Sequence, residues 1–240
     1  MSGHSKWKNI MHKKEKTDAQ RAKIFTKIGR EISMAVKEGG PDPVSNSALK
    51  DLIAKAKSNN VPNDNIERII KKAAGDSDSD NYEIITYEGY GPKGVAVYLR
   101  CVTDNRNRTA GDLRHFFDKC GGNLGQTGSV NWMFEQKGLI VVDREDVDED
   151  QLMEELIEAD VLDIVSEDDA FEIYTAPDKM SEVNDFVLSK GYTVLSAEVA
   201  QVPNNYIEIP DEEDAEKMQK LLDLLDDDDD VTDVWHNWDN

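Results

Sequence analysis

The six residues Asp76-Ser77-Asp78-Ser79-Asp80-Asn81 contain no apolar side chain, and the period of the apolar pattern differs on their two sides. Upstream, hydrophobic residues recur every three or four positions; downstream, they alternate or form short β-branched runs. A chain that changes period across a polar linker is neither an all-helical nor an all-strand body. It must be α+β, with a boundary near 76–81.

The upstream part reads as three helices. Residues 17–39 place Ala22, Phe25, Ile28, Ile32, Ala35 and Val36 on one face, with a stop at Gly39-Gly40-Pro41. A second helix over 44–58 turns Leu49, Leu52, Ile53 and Ala56 inward. A third over 63–74, capped by Asn63 and Gly75, turns in Ile66, Ile69, Ile70 and Ala73. The opposite faces carry Lys23, Lys27, Arg30, Lys37, Lys50, Lys55, Lys57, Arg68, Lys71 and Lys72.

Downstream, strands at 83–87 and 95–102 flank the Gly91-Pro92-Lys93-Gly94 turn, a helix covers 106–119, and a strand is expected over 129–134. The run that follows is β-α-β-β-α-β: 139–143, 149–159, 162–166, 170–175, 178–190 and 193–200. That order is ferredoxin-like. The remaining helix at 211–225 and strand at 231–235 cannot bury their apolar faces alone, while the segment 82–134 lacks one α-β unit. The expected architecture is therefore a three-helix N-terminal domain followed by two α+β sandwich domains, the ferredoxin-like one inserted in the other. The boundaries are 1–78, then 79–136 with 203–240, and 137–202.

Charge divides the same way. Residues 1–75 hold sixteen Lys and Arg against eight Asp and Glu, whereas residues 141–240 hold five against 33, in a chain of net charge −22. A basic first third can bind phosphate while the acidic remainder limits indiscriminate adsorption. The acidic ferredoxin-like domain can also meet a basic protein partner. The apolar runs all fall well short of eighteen residues, so no membrane span is expected, and neither a secretory nor a transit peptide is evident. A cytoplasmic location follows. Cys101 and Cys120 are in no C-x-x-C arrangement and read as reduced packing residues.

The candidate binding residues begin in the opening arm. Lys6, Lys8, Lys13 and Lys14 can neutralise phosphates, and Trp7, flanked by His4 and His12, can stack on an exposed base or simply cover the helical bundle. Arg21, Lys23, Lys27 and Arg30 extend the basic surface along the first helix. Arg100, Arg106, Arg108 and Arg114, with Lys93 in the nearby turn, form a second group, of which Arg100, Arg106 and Arg108 are the candidate binding residues. With Asp104-Asn105 as cap, Arg106 and Arg108 fall in the first turn of a helix, where cations oppose the dipole. Either an external phosphate or a neighbouring carboxylate, Asp104 or Asp112, resolves that conflict.

Other constellations are less productive. His4 and His12 lack a third ligand, so no metal set is proposed, and no cofactor is implied. The glycine-rich stretch 121–129 lacks the Walker lysine and runs from helix into strand, the reverse of a phosphate loop. Asp226–Asp230 reads as a solvated connection. Neither His115 nor His236 belongs to a nucleophile-base pattern, so a non-enzymatic protein is expected.

The motifs Gly3-His4-Ser5-Lys6-Trp7, Asn9-Ile10, His12-Lys13, Tyr87-Glu88-Gly89-Tyr90-Gly91-Pro92, Thr103-Asp104-Asn105-Arg106-Asn107-Arg108-Thr109, Gly121-Gly122-Asn123-Leu124-Gly125 and Gly128–Phe134 resemble those of the YebC/PmpR family of bacterial regulators, whose relatives include mitochondrial translational activators. The resemblance spans essentially the whole chain. It implies a helical first domain, two α+β domains and a non-enzymatic role in gene expression. Two readings stay open: a DNA-binding transcriptional regulator, or a factor bound to ribosomal RNA on the ribosome that relieves stalling at difficult stretches such as proline runs. The DNA-binding regulator is the first reading; the modest basicity, Trp7 and the lack of an evident helix-turn-helix element motivate the RNA alternative. A ligand sensor or protein-interaction adaptor is a third reading.

Overall fold

The computed structural model describes residues 18–75 and 82–239, so the expected linker at 76–81 lies outside the described residues. The chain forms two compact units: residues 136–202, and the rest of the described chain.

In the larger unit, α1 (Asp18–Gly39), α2 (Ser47–Ser58) and α3 (Asn63–Gly75) pack around Ile28, Ile32, Leu49, Ala56 and Ile66. Gly40 ends α1 at φ +85, donating its N–H to Val36 O at 2.8 Å. The second helix begins three residues later than its apolar pattern suggested, because Asn46 is its cap. The Asn46 carboxamide accepts from Leu49 N at 3.0 Å and donates to Ala35 O and Gly40 O, both at 2.8 Å. One buried side chain thus joins the end of α1 to the start of α2.

The sheet of this unit has the order β3-β1-β2-β9. Its strands are β1 (Glu83–Tyr90), β2 (Ala96–Thr103), β3 (Asn123–Leu124) and β9 (Val231–His236), and α4 (Arg106–Lys119) joins β2 to β3. Strand β9 pairs antiparallel with β2, with Leu99 opposite Val234. α4 and α7 (Glu212–Asp227) bury Leu113, Phe117, Met218, Leu221 and Leu225 against Val97, Leu99 and Cys101. Helix and strand at the C-terminal end therefore complete the fold that β1, β2 and α4 leave unfinished, as the α-β deficit required. Both cysteines are free and buried.

The expected strand at 129–134 is not formed. Residues 131–133 make a short 3-10 turn and the strand β4 (Phe134–Asp143) starts after it. The cause is Glu88, buried in β1: its carboxylate accepts Gly128 N at 2.8 Å, Val130 N at 2.7 Å and Asn131 N at 2.8 Å, which bends the segment into a loop. Two amides of the expected strand, and that of Gly128 just before it, are thus used by one side chain.

The smaller unit has strand order β5-β6-β4-β7, the ferredoxin-like arrangement. Its elements are β4, α5 (Glu149–Leu156), β5 (Val161–Ser166), β6 (Ala170–Thr175), α6 (Met180–Ser189) and β7 (Val194–Pro203). Ile140, Val142, Leu152, Phe171, Ile173 and Val187 fill its core. Two short strands, β8 (Ile207–Glu208) and β10 (Trp238–Asp239), pair in parallel in the larger unit. No helix is long and apolar enough to cross a membrane among the described residues.

Candidate nucleic-acid interface

Of the fourteen residues the sequence singled out, His4, Lys6, Trp7, Lys8, His12, Lys13 and Lys14 lie outside the described residues. The other seven are all in the larger unit, and most are engaged by carboxylates or carbonyls of the same chain.

Lys23, Lys27 and Arg30 share one face of α1 by their four- and three-residue spacing. That face meets the acidic run following Leu225. The Lys23 ammonium pairs with the Asp227 carboxylate, and Lys27 Nζ donates to Asp226 O at 2.5 Å. Arg30 Nη1 donates to Asp229 O at 2.7 Å and Asp230 Oδ1 at 2.8 Å, and the guanidinium stacks over Tyr82 at 5.3 Å. These cations sit at the C-terminal end of α7, where carbonyls lack intrahelical partners and the dipole favours positive charge. Lys27 is buried and Arg30 half-buried. Assigning every lysine and arginine of α1 to an outward face was therefore wrong: helical periodicity separates apolar from polar faces but cannot show that a polar face is covered by another polar segment.

Asp230 is the hub of this seam. It is 5% exposed, and its Oδ2 also accepts Arg108 Nη2 at 2.7 Å, Thr109 Oγ1 at 2.8 Å and Thr103 Oγ1 at 3.1 Å. Burial by itself would raise the Asp230 carboxyl, but the hydrogen bonds from Arg108 and Thr109, with Arg30 nearby, hold it below the ordinary carboxylate range. The expectation of a solvated five-aspartate connection thus needs correcting. Asp226, Asp227 and Asp229 are exposed, Asp228 is half-buried, and Asp230 is built into the structure. Its neighbour Asp228 is pushed up by burial and then by the Asp230 and Asp112 charges, against the hydrogen bond it accepts from Asp230 N.

A second ionic cluster lies beside the first. Glu31, 3% exposed, accepts Lys55 Nζ at 3.0 Å and Arg100 Nη1 at 3.1 Å. Asp233 of β9 lies 3.5 Å from Lys55 and 3.6 Å from Arg100. Burial raises the Glu31 carboxyl, with Lys55 and Arg100 opposing it, whereas Lys55 is held strongly protonated because Asp233 and Glu31 overcome its burial. Arg100 is thus committed to this cluster.

At the start of α4, Asn105 caps the helix by accepting Arg108 N at 3.1 Å. The conflict between two arginines and the dipole is resolved within the chain: Arg108 binds Asp104 at 2.9 Å in addition to Asp230, and Arg106 binds Glu83 at 3.2 Å. Both remain exposed, as does Arg21. Further exposed cations occur where the sequence placed basic charge without choosing it: Lys57 on α2, and Arg68, Lys71 and Lys72 on α3, opposite Ile66, Ile69, Ile70 and Ala73. Their helical spacing was the available signal.

The loop held by Glu88 contributes a different surface. Trp132 is 68% exposed, and its Nε1–H is tied to Ser129 O at 3.1 Å, which fixes the ring while leaving its faces open. No group of three or more His, Cys, Asp or Glu among the described residues can hold a metal ion.

Comparison with known proteins places these features in context. The model of the TACO1/YebC protein N-terminal domain matches residues 5–76, and that of the TACO1/YebC second and third domain matches residues 82–238. Proteins of Ruminiclostridium cellulolyticum and Acetivibrio thermocellus, each named a probable transcriptional regulatory protein, are both 57% identical. The first alignment covers 89% of this chain and 86% of the relative, the second 88% of each. The crystal structure of a conserved hypothetical protein from Aquifex aeolicus superposes with a TM-score of 0.85 at 43% identity, covering 93% of this chain and 92% of that one. With both family models matched and the fold shared, the chain belongs to the TACO1/YebC family.

Proposed function

We propose that this protein is a non-enzymatic regulator of gene expression that acts by binding nucleic acid, with duplex DNA as its target. The observation that carries this reading is the pair α2 and α3. They are joined by the four residues Asn59-Asn60-Val61-Pro62, with Asn60 in the left-handed region at φ 58, and the second helix exposes Arg68, Lys71 and Lys72. Two short helices on a four-residue turn, the second cationic on its outer face, have the connectivity of a helix-turn-helix element, which the sequence did not make evident. The naming of close relatives as transcriptional regulatory proteins supports the same reading. Changing Arg68, Lys71 and Lys72 to alanine should weaken duplex binding and lower the slope of log affinity against log salt by about three. Unchanged affinity and slope would remove α3 from the interface.

A second reading, RNA on the ribosome, is favoured by one specific observation, the fixed and exposed Trp132 indole. Stacking on an unpaired base needs such a ring and has no use in an intact duplex. Trp132→Ala should then cost single-stranded or looped RNA binding while leaving duplex DNA binding unchanged. Sequencing of both DNA and RNA crosslinked to the protein in cells decides between the two targets.

A further inference from the structure

We propose that the face of α1 formed by Lys23, Lys27 and Arg30 is a phosphodiester-binding surface, covered in this conformation by Asp226–Asp230 acting as an internal polyanion. The proposal rests on the nucleic-acid reading above and concerns how that binding is regulated.

The groups offered to α1 are closely spaced oxygens, two from carboxylates (Asp227 and Asp230) and two from main-chain carbonyls (Asp226 and Asp229), set within a run of five negative charges. Lys23 meets the Asp227 carboxylate, Lys27 meets Asp226 O at 2.5 Å, and Arg30 meets Asp229 O at 2.7 Å and Asp230 Oδ1 at 2.8 Å. The contact is polar rather than apolar, and the buried Glu31 beside it also reaches Arg100 of β2. The apolar cluster of the three helices is built from residues between Ile24 and Ala73, and that of the sheet from residues between Tyr87 and Trp238. No apolar cluster among the described residues joins them, so uncovering the α1 face exposes charge rather than core. The Lys23–Asp227 pair, the exposed end of the seam, is weakened by salt and by competing charge.

The anchoring is asymmetric, which gives the cover a direction of movement. Asp230 keeps Arg108, Thr103 and Thr109, all on the sheet side, when Arg30 leaves it. The carboxylate is therefore not stranded by opening. The three cations of α1 by contrast exchange aspartate oxygens for any denser polyanion, and duplex DNA supplies one charge per about 1.7 Å of axis.

The test removes three charges of the cover, including the Asp227 carboxylate on Lys23, and leaves its anchor and its main-chain carbonyls in place. Asp226→Asn, Asp227→Asn and Asp229→Asn together leave Asp228 and Asp230 in place. A control of equal charge change, Glu212→Gln, Glu216→Gln and Asp223→Asn, alters exposed residues of α7 away from the α1 contact. Binding of a labelled DNA duplex, and separately of an RNA hairpin of matched length, is measured against salt. The cover variant should bind at least one probe about tenfold tighter than wild type, with a salt slope steeper by about one from the release of Lys23, whereas the control should gain less than about twofold. Adding Lys23→Gln and Lys27→Gln to the cover variant should abolish the gain. The probe that responds identifies the nucleic acid concerned.

Equal gains in cover variant and control would reduce the effect to net charge and overturn the proposal, as would binding by wild type with no gain in the variant; in both cases the nucleic-acid reading survives. Absence of binding to either probe by every variant would refute that reading and the proposal with it. Asp227→Asn alone, at a side chain 68% exposed, guards against misfolding of the triple variant and must shift affinity in the same direction.

Discussion

Replacing Glu88 by glutamine preserves its size and removes its charge, which isolates what the carboxylate does for the 128–131 loop. In the native protein, two oxygens accept three backbone N–H groups at 2.7 to 2.8 Å. Glutamine retains one acceptor oxygen. Its better orientation keeps Val130 N and Asn131 N and turns an NH2 group toward Gly128 N, so one charge-assisted hydrogen bond, worth about 1.5–3 kcal/mol, is lost. The two that remain become neutral and weaken by about 1 kcal/mol each. Burying an amide is easier than burying a carboxylate, which returns about 1–2 kcal/mol. The net local cost is about 2–3 kcal/mol, or about a 30- to 150-fold loss of amide protection. Hydrogen exchange resolved at Gly128, Val130 and Asn131 measures it directly. The loss should be confined to this loop, and Trp132 fluorescence should report a less ordered indole. Unchanged protection at all three amides would refute the claim that Glu88 shapes the loop.

Two further perturbations address other parts of the larger unit. Asp230 has a folded pKa below its ordinary value of 3.8, so its contribution to stability is present above that value and is lost as pH falls through the lowered one; denaturant midpoints should show an acid-limb dependence that Asp230→Asn flattens, and an identical limb in both proteins would contradict this. Asn46→Ala removes the cap of α2 and leaves the carbonyls of Ala35 and Gly40 without their side-chain donor, at a cost of about 2–3 kcal/mol. Asn46→Asp restores only the acceptor, so a full rescue by aspartate in urea unfolding would show that the two donated bonds are unimportant.

What sequence could reveal depended on the range of the interaction responsible. Helix α4 and strand β6 were legible from local patterns, the helix from its Asp104-Asn105 cap and glycine stop and the strand from its run of apolar residues. The α+β class and the return of the C-terminal helix and strand to the first sheet followed from counting elements with an unburied face. The turn at 131–133 was not legible: Val130, Met133 and Phe134 give a strand-like pattern, and the carboxylate that overrides it lies more than forty positions upstream in β1. The seam between α1 and the aspartates was hidden for the same reason, since about 200 positions separate Arg30 from Asp230. Each partner looked like ordinary solvated surface in its own stretch of sequence. The candidate interface was therefore legible as a store of positive charge, but not as a division between cations already engaged and cations still exposed.

The pairing of β2 with β9 also sets a timetable for the protein's own synthesis. At about 5–20 residues per second, a partner 133 positions away, such as Asp233 opposite Arg100, is made on the order of ten seconds later. Throughout that interval the nascent chain carries a strand edge with its backbone groups unpaired, a template for association with another chain. Premature termination anywhere before Val231 makes that interval permanent. A product that ends before Asp226 exposes an aggregation-prone edge and an uncovered cationic helix face together.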